Sequence, residues 1–196
     1  MHRRIAVTTL FAAALIACNK PAEQKPAEVA AAQPAKGSRA WLIETALSAA
    51  PASISAHATL IDMNAKVDSL KTLRAGTNGW TCVANDTTAH PMGPLCADGE
   101  WMKWFQAWMG HKNPNTTMVG TAYMLAGAND ASNTNPFATA PDSGKAWIVS
   151  GPHIMTIAPG AHAYDGLPHE PNENAPYVMF PGTPYAHVMV PVGATH

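Results

Sequence analysis

The chain predicts an α+β domain, an antiparallel sheet with one or two helices packed against it, following a disordered tether. Three observations carry this expectation. Trp101, Trp104, Phe105 and Trp108 recur at i, i+3, i+4 and i+7, the spacing of one helical face. Most of the later chain reads instead as extended runs with period-two alternation, separated by Gly, Pro and Asn. Ahead of both, residues 19–38 are Ala, Pro, Glu, Gln and Lys with almost no large apolar side chain. Such a segment cannot bury enough surface to offset its ordering entropy.

The first element is a leader. His2-Arg3-Arg4 precedes the apolar run Ile5–Ile16, and Leu15-Ile16-Ala17-Cys18 has the form of a bacterial lipobox, in which the cysteine is cleaved and lipidated. A run of about a dozen apolar residues is shorter than the ~20 that span a bilayer. The expected division is a signal peptide over 1–17, a lipidated disordered linker over 18–38 and one α+β domain over 39–196, close to the common single-domain size. Several acyl chains such as palmitate, at ~0.8 kcal/mol per buried CH₂, would hold Cys18 on a membrane almost permanently. Asn19 after the cysteine resembles the sorting signal of enteric outer-membrane lipoproteins, which implies a cell-envelope domain facing the periplasm or the cell surface. The competing reading is an ordinary signal peptide with an incidental Cys18. Arg3-Arg4 lacks the flanks of a twin-arginine signal.

Composition excludes one class of partner. Lys and Arg number 12 against 13 Asp and Glu, with no basic stripe, which argues against nucleic acid. A membrane reached through the lipid anchor and a protein contact remain. Beyond Cys18 there are Cys82 and Cys96, for which an oxidising compartment favours a disulfide. A thiolate metal site or a nucleophile would need them reduced.

Ser38 is a plausible N-cap for a helix carrying Ile43, Ala46, Leu47 and Ala50, stopped by Pro51. A strand is expected over 54–63. Leu70–Arg74 and Trp80–Val83 flank an Asn78-Gly79 pair and predict a hairpin. The aromatic helix is expected over 98–110, with Asp98 as cap and Gly110 as stop. Its stripe suits a core better than a carbohydrate platform. A strand over 117–125, a polar loop over 126–145 rich in turn-capping or ligand-binding side chains, and strands over 146–157 and 177–192 complete the order, the last broken at Pro181-Gly182-Thr183-Pro184.

The chemistry-bearing pattern is a repeat, His153-Ile154-Met155 and His187-Val188-Met189. Side chains two apart on a strand share a face, so each pair presents an imidazole and a thioether together. On paired strands the two histidines are expected at facing positions, with Val188 and Val190 turned toward the core on the other face. Thioether and imidazole suit copper, above all Cu(I). The same residues also suit an ordinary core, because methionine fills gaps and a buried neutral histidine needs only one backbone partner. The intervening segment adds His162, Tyr164, Asp165, His169 and Glu170, of which His169 is a further candidate for the ligand set.

The runs Trp80-Thr81-Cys82, Glu100-Trp101-Met102, Ala131 to Ala138, Ser150 to Met155, Pro176 to Phe180 and Gly182 to Pro191 resemble a family of secreted bacterial proteins without an assigned activity, over most of the domain. The resemblance implies a single exported domain and no site residues.

Three functional readings follow. The first is an anchored domain binding a small ligand or a transition metal through His153, Met155, His187 and Met189. The second is an envelope hydrolase with Ser150 or Ser132 as nucleophile, His153 or His187 as base and Asp130 or Asp165 as orienter, although Gly-x-Ser-x-Gly, His-Glu-x-x-His, phosphate-loop and dinucleotide signatures are all absent from the sequence. The third is a structural or adaptor lipoprotein.

Overall fold

Helix α1 (Arg39–Leu47) starts where the low-complexity segment ends, with the Ser38 hydroxyl accepting from the Trp41 amide at 3.2 Å. The computed structural model describes residues 33–63, 70–85, 92–160 and 162–193. The leader, Cys18 and most of the 18–38 linker lie outside the described residues. Leu42 and Ala46 form the buried stripe of α1, continued by Ala49 and Ala50, while Ile43 and Leu47 are only half-buried. Pro51 then opens a second helical turn, α2 (Ala52–Ser55), in place of the strand start expected at Ile54. Its fixed φ suits the first turn of a helix, and the Ser55 and Ala56 amides bond back to Pro51 and Ala52.

Strands β1 (Thr59–Asp62), β2 (Lys71–Arg74), β3 (Thr81–Ala84) and β4 (Leu95–Ala97) lie in the order β2-β1-β3-β4. The expected hairpin between the second and third is therefore not formed. Asn78-Gly79 does turn, with Gly79 at φ +78°, but β1 sits between the two arms, antiparallel to β2 and parallel to β3. Burial decides the order. Leu60 and Ile61 point to opposite faces and both are buried, as an interior strand requires, whereas Lys71 and Thr72 are exposed and suit an edge. The connection arches over the start of β1, where the Gly76 amide donates to Thr59 Oγ1 at 3.1 Å and the Thr77 amide to the His57 carbonyl at 2.8 Å. A Cβ on Gly76 would fall 2.1 Å from the Thr59 nitrogen.

Helix α3 (Gly99–Met109) matches its expected cap, stripe and stop. Asp98 does two jobs. Its Oδ1 accepts from the Glu100 and Trp101 amides, and its Oδ2 accepts from Thr121 at 2.7 Å, fastening the helix start to β5 (Gly120–Met124). The approach is close enough that a Cβ on Gly120 would lie 2.7 Å from the Trp101 nitrogen. Trp101, Trp104 and Phe105 are buried and Trp108 half-buried, so the stripe is core.

After β5 the chain forms a small hairpin, β6 (Ala128–Asp130) with β7 (Ile148–Ser150), then returns to the main sheet as β8 (His153–Ile157), β9 (Tyr177–Met179) and β10 (His187–Pro191). The eight-stranded order is β2-β1-β3-β4-β5-β8-β10-β9, antiparallel except for β1 with β3, so the α+β class holds. Its two faces are covered differently. Beneath α1 lie Leu60, Leu73, Ala84 and the Cys82–Cys96 disulfide, whose cysteines face each other across β3 and β4. Beneath α3 lie Val83, Leu95, Ala122, Met124, Met155 and Met189. Val188 is buried and Val190 half-buried on the opposite face, yet the main core of β10 is the His/Met face, because α3 covers that side.

Candidate functional site

Register settles how the two His-x-Met segments meet. On β8 and β10 Met155 stands opposite Met189, and His153 stands opposite Pro191. Antiparallel pairing of two identical segments creates a local two-fold axis normal to the sheet, here between the two methionines. All four side chains therefore share one face, as the period predicts, but the histidines are not at facing positions. His187 lies four residues from Pro191, which separates the backbone positions of the two histidines by roughly 13 Å along the strands, although both side chains lean over one cavity and His153 acts electrostatically on His187.

The flanking strands extend the same pattern. Met124 on β5 is directly opposite His153, and Met179 on β9 is directly opposite His187. Each imidazole thus has one methionine across its outer strand boundary and another on its inner diagonal, distances that long side chains bridge. The face bounds a cavity of about 60 Å³ beneath α3, lined by His153, His187, Asp130 and the five methionines Met92, Met124, Met155, Met179 and Met189, with Trp101 and Trp104 above.

Both imidazoles are held in one tautomer. His153 Nδ1 lies 2.7 Å from the Gly151 carbonyl and His187 Nδ1 lies 2.9 Å from the Tyr185 carbonyl, in each case two residues back along the chain. A carbonyl only accepts, so Nδ1 carries the proton and Nε2 presents its lone pair. Metal-binding histidines are oriented in this way by a second-shell acceptor. Burial lowers the pKa of His187 to about 4 and lowers that of His153, so both rings are neutral donors at pH 7.

Unpartnered polar atoms gather around the same space. His153 Nε2, Trp101 Nε1 and Trp104 Nε1 are buried without a hydrogen bond, a state that costs about 1–3 kcal/mol per group. His187 itself is boxed edge-on by Trp101, Trp104 and Phe180, with ring centroids 5.4, 5.2 and 5.5 Å away. Phe180 adopts φ +56°, uncommon for a bulky residue, and its amide is held by the Asn133 carbonyl at 2.8 Å. Half-buried Asp130 has its pKa raised to about 6 by burial.

His169 does not join the cluster. Its side chain is exposed on a different, polar groove, and its carbonyl accepts from Asn133 Nδ2 at 2.6 Å. The polar loop is largely structural: Ser132 Oγ caps the Thr134 and Asn135 amides, and Asn133 ties the loop to β9 through Val178. A serine relay is not assembled either. Ser150 Oγ lies beside the Tyr177 hydroxyl without a hydrogen bond of normal geometry, His153 Nδ1 is committed to a backbone carbonyl, and Asp165 pairs with exposed His162 at 2.9 Å. Among the described residues no three His, Cys, Asp or Glu side chains are grouped to hold a metal, so any ion here must draw on thioethers.

Sequence reasoning named four of these residues and missed Met124, Met179 and the tryptophan roof. Their only signal was period two within their own strands, which carries no register. No helix among the described residues is long and apolar enough to cross a membrane. No family model, curated protein or solved structure matches the chain.

Proposed function

We propose that this chain is a lipid-anchored cell-envelope protein whose domain binds Cu(I) through His153, His187, Met155 and Met189. The single observation that carries the reading is the two-fold His-x-Met arrangement, with both imidazoles lining a methionine-rich cavity while their Nδ1 atoms are committed to backbone carbonyls. Soft thioethers with neutral imidazoles select a monovalent d¹⁰ ion over Mg²⁺ or Ca²⁺. Bound there, Cu(I) would be shielded from water by Trp101 and Trp104. The chain's own residues orient the donors and keep both rings neutral. Anchoring rests on Leu15-Ile16-Ala17-Cys18 followed by the Pro/Ala-rich linker.

The test is an anaerobic Cu(I) titration of the mature protein, purified without a histidine tag, against a chromophoric Cu(I) chelator. Stoichiometric capture from the chelator, with nitrogen and sulfur scatterers by X-ray absorption, is the expected result. A protein that leaves the chelator fully loaded overturns the proposal.

A further inference from the structure

The geometry points to two Cu(I) subsites on this face, filled in order from the His153 end; this deepens the Cu(I) reading and rests on it. In strand register each histidine has methionine neighbours nearer than the other histidine. His153 has Met124 directly across β5 and Met189 on its diagonal, whereas His187 has Met179 directly across β9 and Met155 on its diagonal. Direct cross-strand neighbours have Cβ atoms about 5 Å apart, and the two histidines lie roughly 13 Å apart along the strands. Met124 with His153 makes one subsite and Met179 with His187 the other, and the central Met155/Met189 pair supplies the remaining donor to each.

Both imidazoles are almost fully buried, at 2% and 3% exposure, but their surroundings differ. His153 and Met189 also line an outer pocket of about 170 Å³, formed by β7 and the 171–173 segment. His187 is enclosed by Trp101, Trp104 and Phe180. An ion arriving through the outer pocket meets His153 first and reaches His187 by passing along Met189 and Met155. Each move exchanges one thioether or imidazole donor for another. The ion stays Cu(I) throughout, so no electron or proton is transferred.

Three variants of the mature full chain test this, each titrated with Cu(I) alone under anaerobic conditions. Leucine conserves methionine volume and is well tolerated in cores, so Met124→Leu and Met179→Leu each remove one thioether from one end only. Gly193→Leu fills the outer pocket, where a Cβ meets nothing nearer than Pro152 at 3.8 Å.

The parent protein is expected to take two equivalents and each methionine variant one. Filling of the remaining site should slow at least tenfold in Met124→Leu and stay fast in Met179→Leu, and Gly193→Leu should slow loading of both without changing the stoichiometry. An unchanged thermal midpoint keeps the comparison valid. One equivalent in the parent, lost in both methionine variants, means a single shared site and overturns the inference while leaving Cu(I) binding intact. Equal filling rates in all four proteins remove the order. No bound copper in the parent defeats the Cu(I) reading itself.

Discussion

Met155 and Met189 stand directly opposite each other on β8 and β10, and that pairing makes two distant copies of His-x-Met into the halves of one two-fold face. The thioethers occupy the centre and the imidazoles the ends. Replacing both by leucine removes the sulfur while conserving volume, so the fold should change by less than ~1.5 kcal/mol per site. Cu(I) affinity should fall at least tenfold, which is about 1.4 kcal/mol. A competition titration alongside a thermal melt measures both, and undiminished affinity would show that the methionines only pack.

Stability of the metal-free protein should fall as the solution is acidified. The His187 pKa is lowered to about 4 in the fold, so between pH 6.5 and 4 the unfolded chain binds a proton that the native state refuses. Its contribution is complete above pH 6.5 and is lost as pH falls toward 4, at most about 3 kcal/mol. His153 acts in the same direction. Asp130 opposes them, since burial raises its pKa to about 6 and makes the native state the better proton acceptor between about 6 and 3.8, so the net change is the smaller difference between the two histidines and this carboxyl. Urea midpoints taken in a chelating buffer at pH 7 and 4.5 should show a net decrease, and His187→Gln should flatten it.

Asp98 caps α3 and also binds the Thr121 amide, so Asp98→Ala removes an N-cap and strands a strand donor. A capping loss alone is ~1 kcal/mol, and a buried unpaired amide adds ~1–3. We expect roughly 2–3 kcal/mol by chemical denaturation. Asp98→Asn, which retains acceptor oxygen, should recover part of it; a loss under ~0.5 kcal/mol for Asp98→Ala would show that the two contacts contribute little.

Cys82 and Cys96, 14 residues apart in sequence and opposed on β3 and β4, should appear as one cross-linked peptide in a non-reducing digest. Reduction should lower stability by about 3 kcal/mol, the chain-entropy figure for a loop of about 15 residues. The bond lies on the α1 face, away from the histidines, so Cu(I) capture under mild reductant should survive provided the fold does.

Cys18→Ala should release the protein from membranes on fractionation and abolish incorporation of labelled fatty acid. A parent protein already soluble and unlabelled would show that the cysteine is incidental.

Local chemistry determined whatever could be decided within a few residues. The α3 helix was legible in full because its cap, stripe and stop lie within one short stretch, and the shared face of His153 with Met155 followed from the pleat alone. The turn at Asn78-Gly79 was legible too, but its consequence was not, since a turn signal cannot say that a third strand will enter between its arms. Only burial of Leu60 and Ile61 on both faces of β1 made that choice. The same limit governs the site. Side-chain period is a property of one strand, whereas register belongs to a pair, and nothing within β5 or β9 marks Met124 and Met179 as partners of the histidines. Tertiary structure decided that, by pairing β8 with β10 and laying α3 over the face where the donors meet.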